Sequence, residues 1–172
     1  MDTIAVHRDP VRFARSIGVE IGDDCRLWGI TRNTFGSEPY LIRIGHGCTI
    51  THGVDFITHD GGVRTFRKDH PDIDVIAPIV LGDDVFVGAH SIILPGVQIG
   101  DRCVIGAGSV VSRSIPPDSL AVGNPCRRVK SIDEYGAAVL PRAVPTYRMS
   151  PDDKRAFLTK HFDQPVDAPR QP

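Results

Sequence analysis

With 172 residues and 20 Lys and Arg against 21 Asp and Glu, the chain carries a net charge of −1 and is read as one domain. It has no global basic field of the kind that nucleic-acid binding uses. No apolar run approaches the ~20 residues needed to span a bilayer, and the start, MDTIAVHRDPVRFARS, carries acids and lacks the apolar core of a secretory signal.

Asp9-Pro10 ahead of Val11, Phe13 and Ala14 predicts a short helix with Asp as N-cap and Pro at its first position, covering the open end of whatever follows. A six-residue beat then starts weakly at Ile17-Gly18, Ile21-Gly22 and Leu27. Residues 29–40, GITRNTFGSEPY, interrupt it, and it resumes at Ile44-Gly45, Ile50 and Phe56. A second interruption, THDGGVRTFRKDHPDID over 58–74, is a polar stretch of seventeen residues, and Val75 restores the phase six residues before Leu81. From there Leu81, Val87, Ile93, Ile99, Ile105 and Val111 keep an unbroken step of six. Four residues after each stands a small or β-branched side chain: Val85, Ser91, Val97, Cys103, Ser109 and Ile115. A period of six fits neither a 3.6-residue helix nor a simple alternating strand. It predicts an all-β coil of short strands joined by turns, each coil stacking its aliphatics on the one before. The 17 glycines and 14 prolines suit such a turn-rich fold.

Cys25, Cys48 and Cys103 each follow an aliphatic by four, in the small inward slot of the beat, and are expected as buried reduced thiols rather than disulfides or metal ligands. Together with the lack of a signal, this predicts a cytoplasmic protein. Cys126 has no role in the pattern. After Val111 the coils end at Ser112-Arg113-Ser114-Ile115-Pro116-Pro117, and Leu120 to Lys130 leaves the column. Short helices are expected over 131–140 and from Ser150-Pro151 onward, the latter capped by Ser150, with a disordered tail QPVDAPRQP. The organisation is thus a cap helix over 1–16, a repeat domain over 17–130 with a loop at 58–74, and a helical extension over 131–172.

A long polar loop inside a compact repeat is usually functional. His59 stands at its root, and a histidine there suits proton abstraction near neutral pH. His46, His52, His70 and His90 are rivals by residue type; His52 and His90 fall in repeat positions and are expected to face solvent or a subunit contact. A base needs an acceptor on its other ring nitrogen. Asn33, Glu38, Asp55 and Asp60 are the candidates, and Glu38 belongs to the earlier interruption, one coil away.

The sixes, Thr58-His59-Asp60, Ile105-Gly106-Ala107-Gly108-Ser109-Val110-Val111 and Ala121-Val122-Gly123-Asn124-Pro125-Cys126-Arg127 resemble the hexapeptide-repeat acetyltransferases over residues 17–132. Within that group the chain looks most like the galactoside- and maltose-type sugar O-acetyltransferases and the bacterial surface-polysaccharide acetyltransferases. The resemblance implies a left-handed parallel β-helix with short terminal helices. It also implies a homotrimer with sites between subunits, acetyl-CoA as donor and no metal. Handedness comes from the resemblance alone, because parallel crossovers are otherwise right-handed in ~98% of cases.

It further implies that His59 is the catalytic base, and it sets Asn33 close to an acceptor-contacting Asn of the family; Glu38 remains a candidate partner from its place one coil away. Along the donor path the matching positions are Phe86, where galactoside-type enzymes carry Trp, Ala89, Ala107, Ser112, Arg113, Arg127 and Lys130. Arg64, Arg67 and Lys68 beside Phe66 form a basic-aromatic set suited to an anionic acceptor such as a nucleotide-sugar, and Asp60 is a further substrate candidate. The acceptor expected first is a sugar hydroxyl or amine, with xenobiotic or serine O-acetylation as the alternatives. A γ-carbonic-anhydrase-like hydratase needs a His-x4-His pair, whereas five residues separate His46 from His52. An inert trimeric spacer has no reason to interrupt its column with a loop bearing His59.

Overall fold

The computed structural model describes residues 9–163. The expectations for the first eight residues and for the tail over 164–172 lie outside them. Two compact units divide the chain after Ala137.

In the first unit, helix α1 (Pro10–Ser16) is capped by Asp9, whose carboxylate accepts the Arg12 N–H at 2.9 Å. The coils follow. The first holds β1 (Glu20–Ile21), β2 (Arg26–Leu27) and a 3-10 turn over Arg32–Phe35. The second holds β3 (Ile42–Ile44), β4 (Thr49–Ile50) and β5 (Asp55–Phe56). The third holds β6 (Ile79–Leu81), β7 (Phe86–Val87) and β8 (Ile92–Ile93), and the fourth β9 (Gln98–Ile99), β10 (Val104–Ile105) and β11 (Val110–Val111). A fifth is begun by Ile115, bridged to Ile99, and by β12 (Ser119–Val122). Strand β13 (Arg127–Ser131) then turns back antiparallel along β12, ahead of helix α2 (Ile132–Val139).

The second, third and fourth coils each give one strand to each of three parallel sheets, β1-β3-β6-β9, β2-β4-β7-β10-β12 and β5-β8-β11, while the first has its 3-10 turn in place of a strand on the third. The aliphatics of the six-residue beat are the inward residues, and register stacks them in columns. Ile21, Ile44, Leu81 and Ile99 align on the first face. Leu27, Ile50, Val87, Ile105 and Ala121 align on the second, and Phe56, Ile93 and Val111 on the third. All of these are buried. Stacking identical small sets coil on coil removes apolar area from water without a second layer.

The ends are covered. Arg15 donates to the Ile21 and Gly22 carbonyls, acceptors that no preceding coil can satisfy. At the other end β13 lies along β12.

The corner between the first and second faces carries a ladder that the period did not predict. Asp83 N–H donates to Asp101 Oδ1 at 2.8 Å, His46 N–H to Asp83 Oδ1 at 2.7 Å, and Asp23 N–H to His46 Nδ1 at 3.0 Å. The glycine ahead of each rung admits this approach; a Cβ on Gly82 would sit 2.0 Å from Asp101 Oδ1.

Two expectations are corrected. Ile17 is the C-cap of α1, and the column starts at Ile21. Val75 does not restore the beat; it is 49% exposed, and the parallel coil resumes only at Ile79. The reason is that residues 75–77 return antiparallel against residues 58–60, closing the loop at its root.

In the second unit, helix α3 (Pro151–Phe162) is capped by Ser150, whose hydroxyl accepts the Asp153 N–H at 3.1 Å.

Candidate active site

Both interruptions of the beat fall at one corner, where the chain passes from the third face to the first. The earlier one leaves the 3-10 turn Arg32–Phe35 and re-enters at β3; the later one leaves β5 and re-enters at β6. They are one coil apart, and Phe35 stacks on Phe56 with ring centroids 5.6 Å apart. The segment after Phe35 therefore runs against the segment after Phe56.

Gly36 makes the turn, at φ 61° and ψ −155°, a region that side chains with a Cβ avoid. A Cβ there would stand 3.1 Å from the Phe56 carbonyl oxygen. This turn aims Ser37 and Glu38 at Thr58 and His59. Glu38 Oε2 lies 3.1 Å from His59 Nδ1 and accepts the Thr58 hydroxyl proton at 2.6 Å. Ser37 Oγ stands 3.3 Å from the same Nδ1.

Thr58 is fully buried, the Glu38 side chain is 16% exposed and the His59 side chain 43%. The Thr58 hydrogen bond, opposed by burial and assisted by His59 and Ser37, holds the Glu38 carboxyl below the usual carboxylate range. An ionised Glu38 only accepts, so the tautomer that bonds it is the one with the proton on His59 Nδ1, which leaves the Nε2 lone pair unused by this pair.

The backbone of His59 is equally fixed. It bridges to Ile76, while Asp60 N–H donates to Val75 O at 2.8 Å and Ala77 N–H to Thr58 O at 2.9 Å. Beyond it Asp60 caps a 3-10 helix over Gly61–Phe66, accepting the Gly62 N–H at 2.8 Å. Arg67 pairs with Asp74 and donates to Ile73 O at 3.2 Å, so its charge is held within the loop. Arg64 is exposed. Asn33 is exposed in the 3-10 turn, and its backbone N–H is held by Thr31 Oγ1 at 3.3 Å.

The donor-side residues are spread more widely. Phe86 is 41% exposed on the outer side of β7, between Thr49 and Val104. Ala89 and Ala107 line the corner between the second and third faces, joined through Gly108 N–H to Ala89 O at 2.8 Å. Ser112 and Arg113 follow β11 and are exposed at the corner that His59 occupies. On β13, Arg127 is exposed and donates to Cys126 O, and Lys130 stands opposite Leu120. A single chain thus brings His59 and Glu38 together but leaves the third face between them and Ala89 and Ala107.

The sequence pattern assigns Thr58 no role; its one signal is a hydroxyl residue at a position that the strand turns inward. His46 serves the ladder, and His52 and His90 meet edge to face at 4.9 Å on an exposed corner. Among the described residues no group of three or more His, Cys, Asp and Glu side chains is arranged to hold a metal ion. The four cysteines are free, and burial pushes the Cys48 thiol up to about 12.

The family described as bacterial transferase hexapeptide (six repeats) matches residues 78–113. Protein CapG of Staphylococcus aureus is 48% identical over 150 residues, covering 87% of this chain and 87% of its own length. Galactoside O-acetyltransferase of Escherichia coli is 51% identical over 125 residues, 73% of this chain. The chain belongs to the hexapeptide-repeat acetyltransferases. It is an acyltransferase, and the geometry above is the candidate site of that chemistry. The chain spans 60% of the length of the E. coli enzyme. Soybean serine acetyltransferase, as the apoenzyme, superposes with a TM-score of 0.52 at 31% identity, over 65% of this chain and 40% of that one.

Proposed function

We propose that this enzyme transfers an acetyl group from acetyl-CoA to a sugar hydroxyl, free or within a nucleotide-sugar or polysaccharide precursor. His59 is the general base. The observation that carries the reading is the Glu38–His59 pair, with Nδ1 of His59 3.1 Å from a carboxylate and Nε2 left to act.

Acetyl-CoA supplies the acetyl group and a thiol leaving group. His59 Nε2 takes the acceptor hydroxyl proton as that oxygen bonds to the acetyl carbon. Glu38 stabilises the imidazolium that results and keeps its Nδ1–H fixed. The same Nε2–H then returns the proton to the departing sulfur, so His59 ends as it began. Residues of this chain suit the donor. A Cβ on Gly108, next to Ala107, would meet no atom within 4 Å, so this corner is unobstructed, as a pantetheine path requires. Arg127 and Lys130 offer cations for the phosphates. No step needs a metal ligand set.

We read the coil, from Ile21 onward, as a left-handed parallel β-helix assembled as a homotrimer. The separation of Ala89 and Ala107 from His59 within one chain supports a site completed by a second copy. No helix of the described residues is long and apolar enough to cross a membrane, and four free thiols suit a reducing cytoplasm. The name of the E. coli relative supports a sugar acceptor. The likeness to soybean serine acetyltransferase favours serine as the second reading. Free-thiol release from acetyl-CoA across glycosides, nucleotide-sugars, amino-sugars and L-serine separates them. Turnover with a sugar is the expected result. Turnover with serine alone would overturn the sugar reading, and an absence of acetyl-CoA binding by calorimetry would overturn both.

A further inference from the structure

Thr58 differs from the other buried hydroxyls of the coils. Ser91 donates to Gly88 O at 2.8 Å and, one coil away, to Gly106 O at 3.1 Å, Ser109 to Gly106 O at 2.6 Å and Ser119 to Pro117 O at 3.1 Å, every acceptor a backbone carbonyl. Thr58, buried to the same degree, reaches across to the neighbouring coil and donates to a carboxylate. A buried hydroxyl needs a partner, and here that partner is Glu38, the group that orients His59. The bond is short, at 2.6 Å, as charge-assisted O–H···O bonds are. It falls on Oε2, the same oxygen that faces His59 Nδ1.

Two donors on one oxygen fix the carboxylate in both rotation and protonation. The Thr58 proton lowers the affinity of Glu38 for a further proton, so the Nδ1 proton stays on His59 during transfer rather than crossing to the carboxylate. The main chain of Thr58 is itself clamped, since its carbonyl accepts the Ala77 N–H that closes the loop. Thr58 therefore ties three segments together through its hydroxyl and its carbonyl: the earlier interruption, the strand exit and the loop's return.

We propose that Thr58 is a positioning residue for acetyl transfer, acting through Glu38 to hold His59 in its base-competent arrangement. This rests on His59 as the base. Among the described residues the titratable group that acts on Glu38 is His59, with Thr58 and Ser37 as the neutral donors beside it.

The test compares Thr58→Val, which keeps the shape and removes the hydroxyl, with Thr58→Ser, which keeps the hydroxyl. Two readouts are followed on the folded full chain. One is kcat and the acetyl-CoA KM by thiol release. The other is the pH titration of the Glu38 carboxyl carbon by 13C NMR, assigned by its loss in Glu38→Gln. Thr58→Val is expected to lower kcat about 10-fold, the loss of one hydrogen bond to a charged group, with the acetyl-CoA KM unchanged. Its Glu38 titration should rise toward the ordinary carboxylate range, and Thr58→Ser should restore both. A wild-type titration and kcat in Thr58→Val would overturn the inference, and so would Thr58→Ser failing like Thr58→Val. The titration needs no acceptor and does not depend on the base assignment. If His59→Ala kept its turnover while Thr58→Val still moved the Glu38 titration, the base reading would fall and the hold on Glu38 would stand.

Discussion

The coils over 79–111 and the corner built from residues 31–41 and 57–78 are made by one chain under opposite rules. In the coils each side chain answers to the one a coil away: Ile93 lies between Phe56 and Val111, fully buried, and the polar atoms left over are hydroxyls turned onto backbone carbonyls. At the corner the beat is dropped twice in succession, and the freed length brings a carboxylate, a hydroxyl and an imidazole within hydrogen-bond reach. Regularity supplies the rigid stack, and the two interruptions supply groups with protons to move. Stability and chemistry are therefore expected to separate when each region is damaged alone.

The largest separation is expected from His59→Ala. Turnover should fall by ~10²–10⁴-fold, the size of a general-base contribution, while circular dichroism and the melting temperature stay at wild-type values. Ile93→Ala is the mirror experiment. Removing a buried column residue should cost ~2–5 kcal/mol by denaturant unfolding, with kcat retained in the fraction that remains folded. Gly36→Ala belongs to both regions. A Cβ at a backbone angle reserved for glycine should cost ~1–3 kcal/mol, and displacement of Glu38 should lower kcat as well; an unchanged kcat would detach the turn from the site.

Arg127→Ala should raise the acetyl-CoA KM several-fold with little change in kcat, which steady-state kinetics at varied donor concentration will show. The smallest effect is in pH. Because the Glu38 carboxyl is held below its ordinary range, its contribution to stability is present above the unfolded value of about 4.3 and is lost as pH falls through the lowered folded value. The stability gap between wild type and Glu38→Gln should thus close in the acid range below about pH 5.

The columns were legible because a period of six is a property of the chain itself; Leu81 to Val111 can be stacked without knowing any loop. The approach of Glu38 to His59 was legible only as an option among four acceptors. It depends on two interruptions leaving at the same corner, and that depends on their phase and on the turn at Gly36. Val75 misled because its spacing from Leu81 matched the beat while its backbone was already committed to pairing with the root of the loop. The ladder of Asp83, Asp101 and His46 was written in the Gly-Asp and Gly-His pairs after each first-face aliphatic, yet a turn hydrogen bond leaves no hydropathy signal. Thr58 was hidden for a like reason, since a buried threonine on a strand is ordinary until the residue across from it is known to be a carboxylate.

The most direct measurement of the central claim is the kcat of Glu38→Gln determined in two backgrounds, wild type and His59→Ala. If the two residues act as one unit, Glu38→Gln lowers kcat in the wild type and has no further effect once His59 is gone. An equal loss in both backgrounds would show that Glu38 does not work through His59 and would contradict the account.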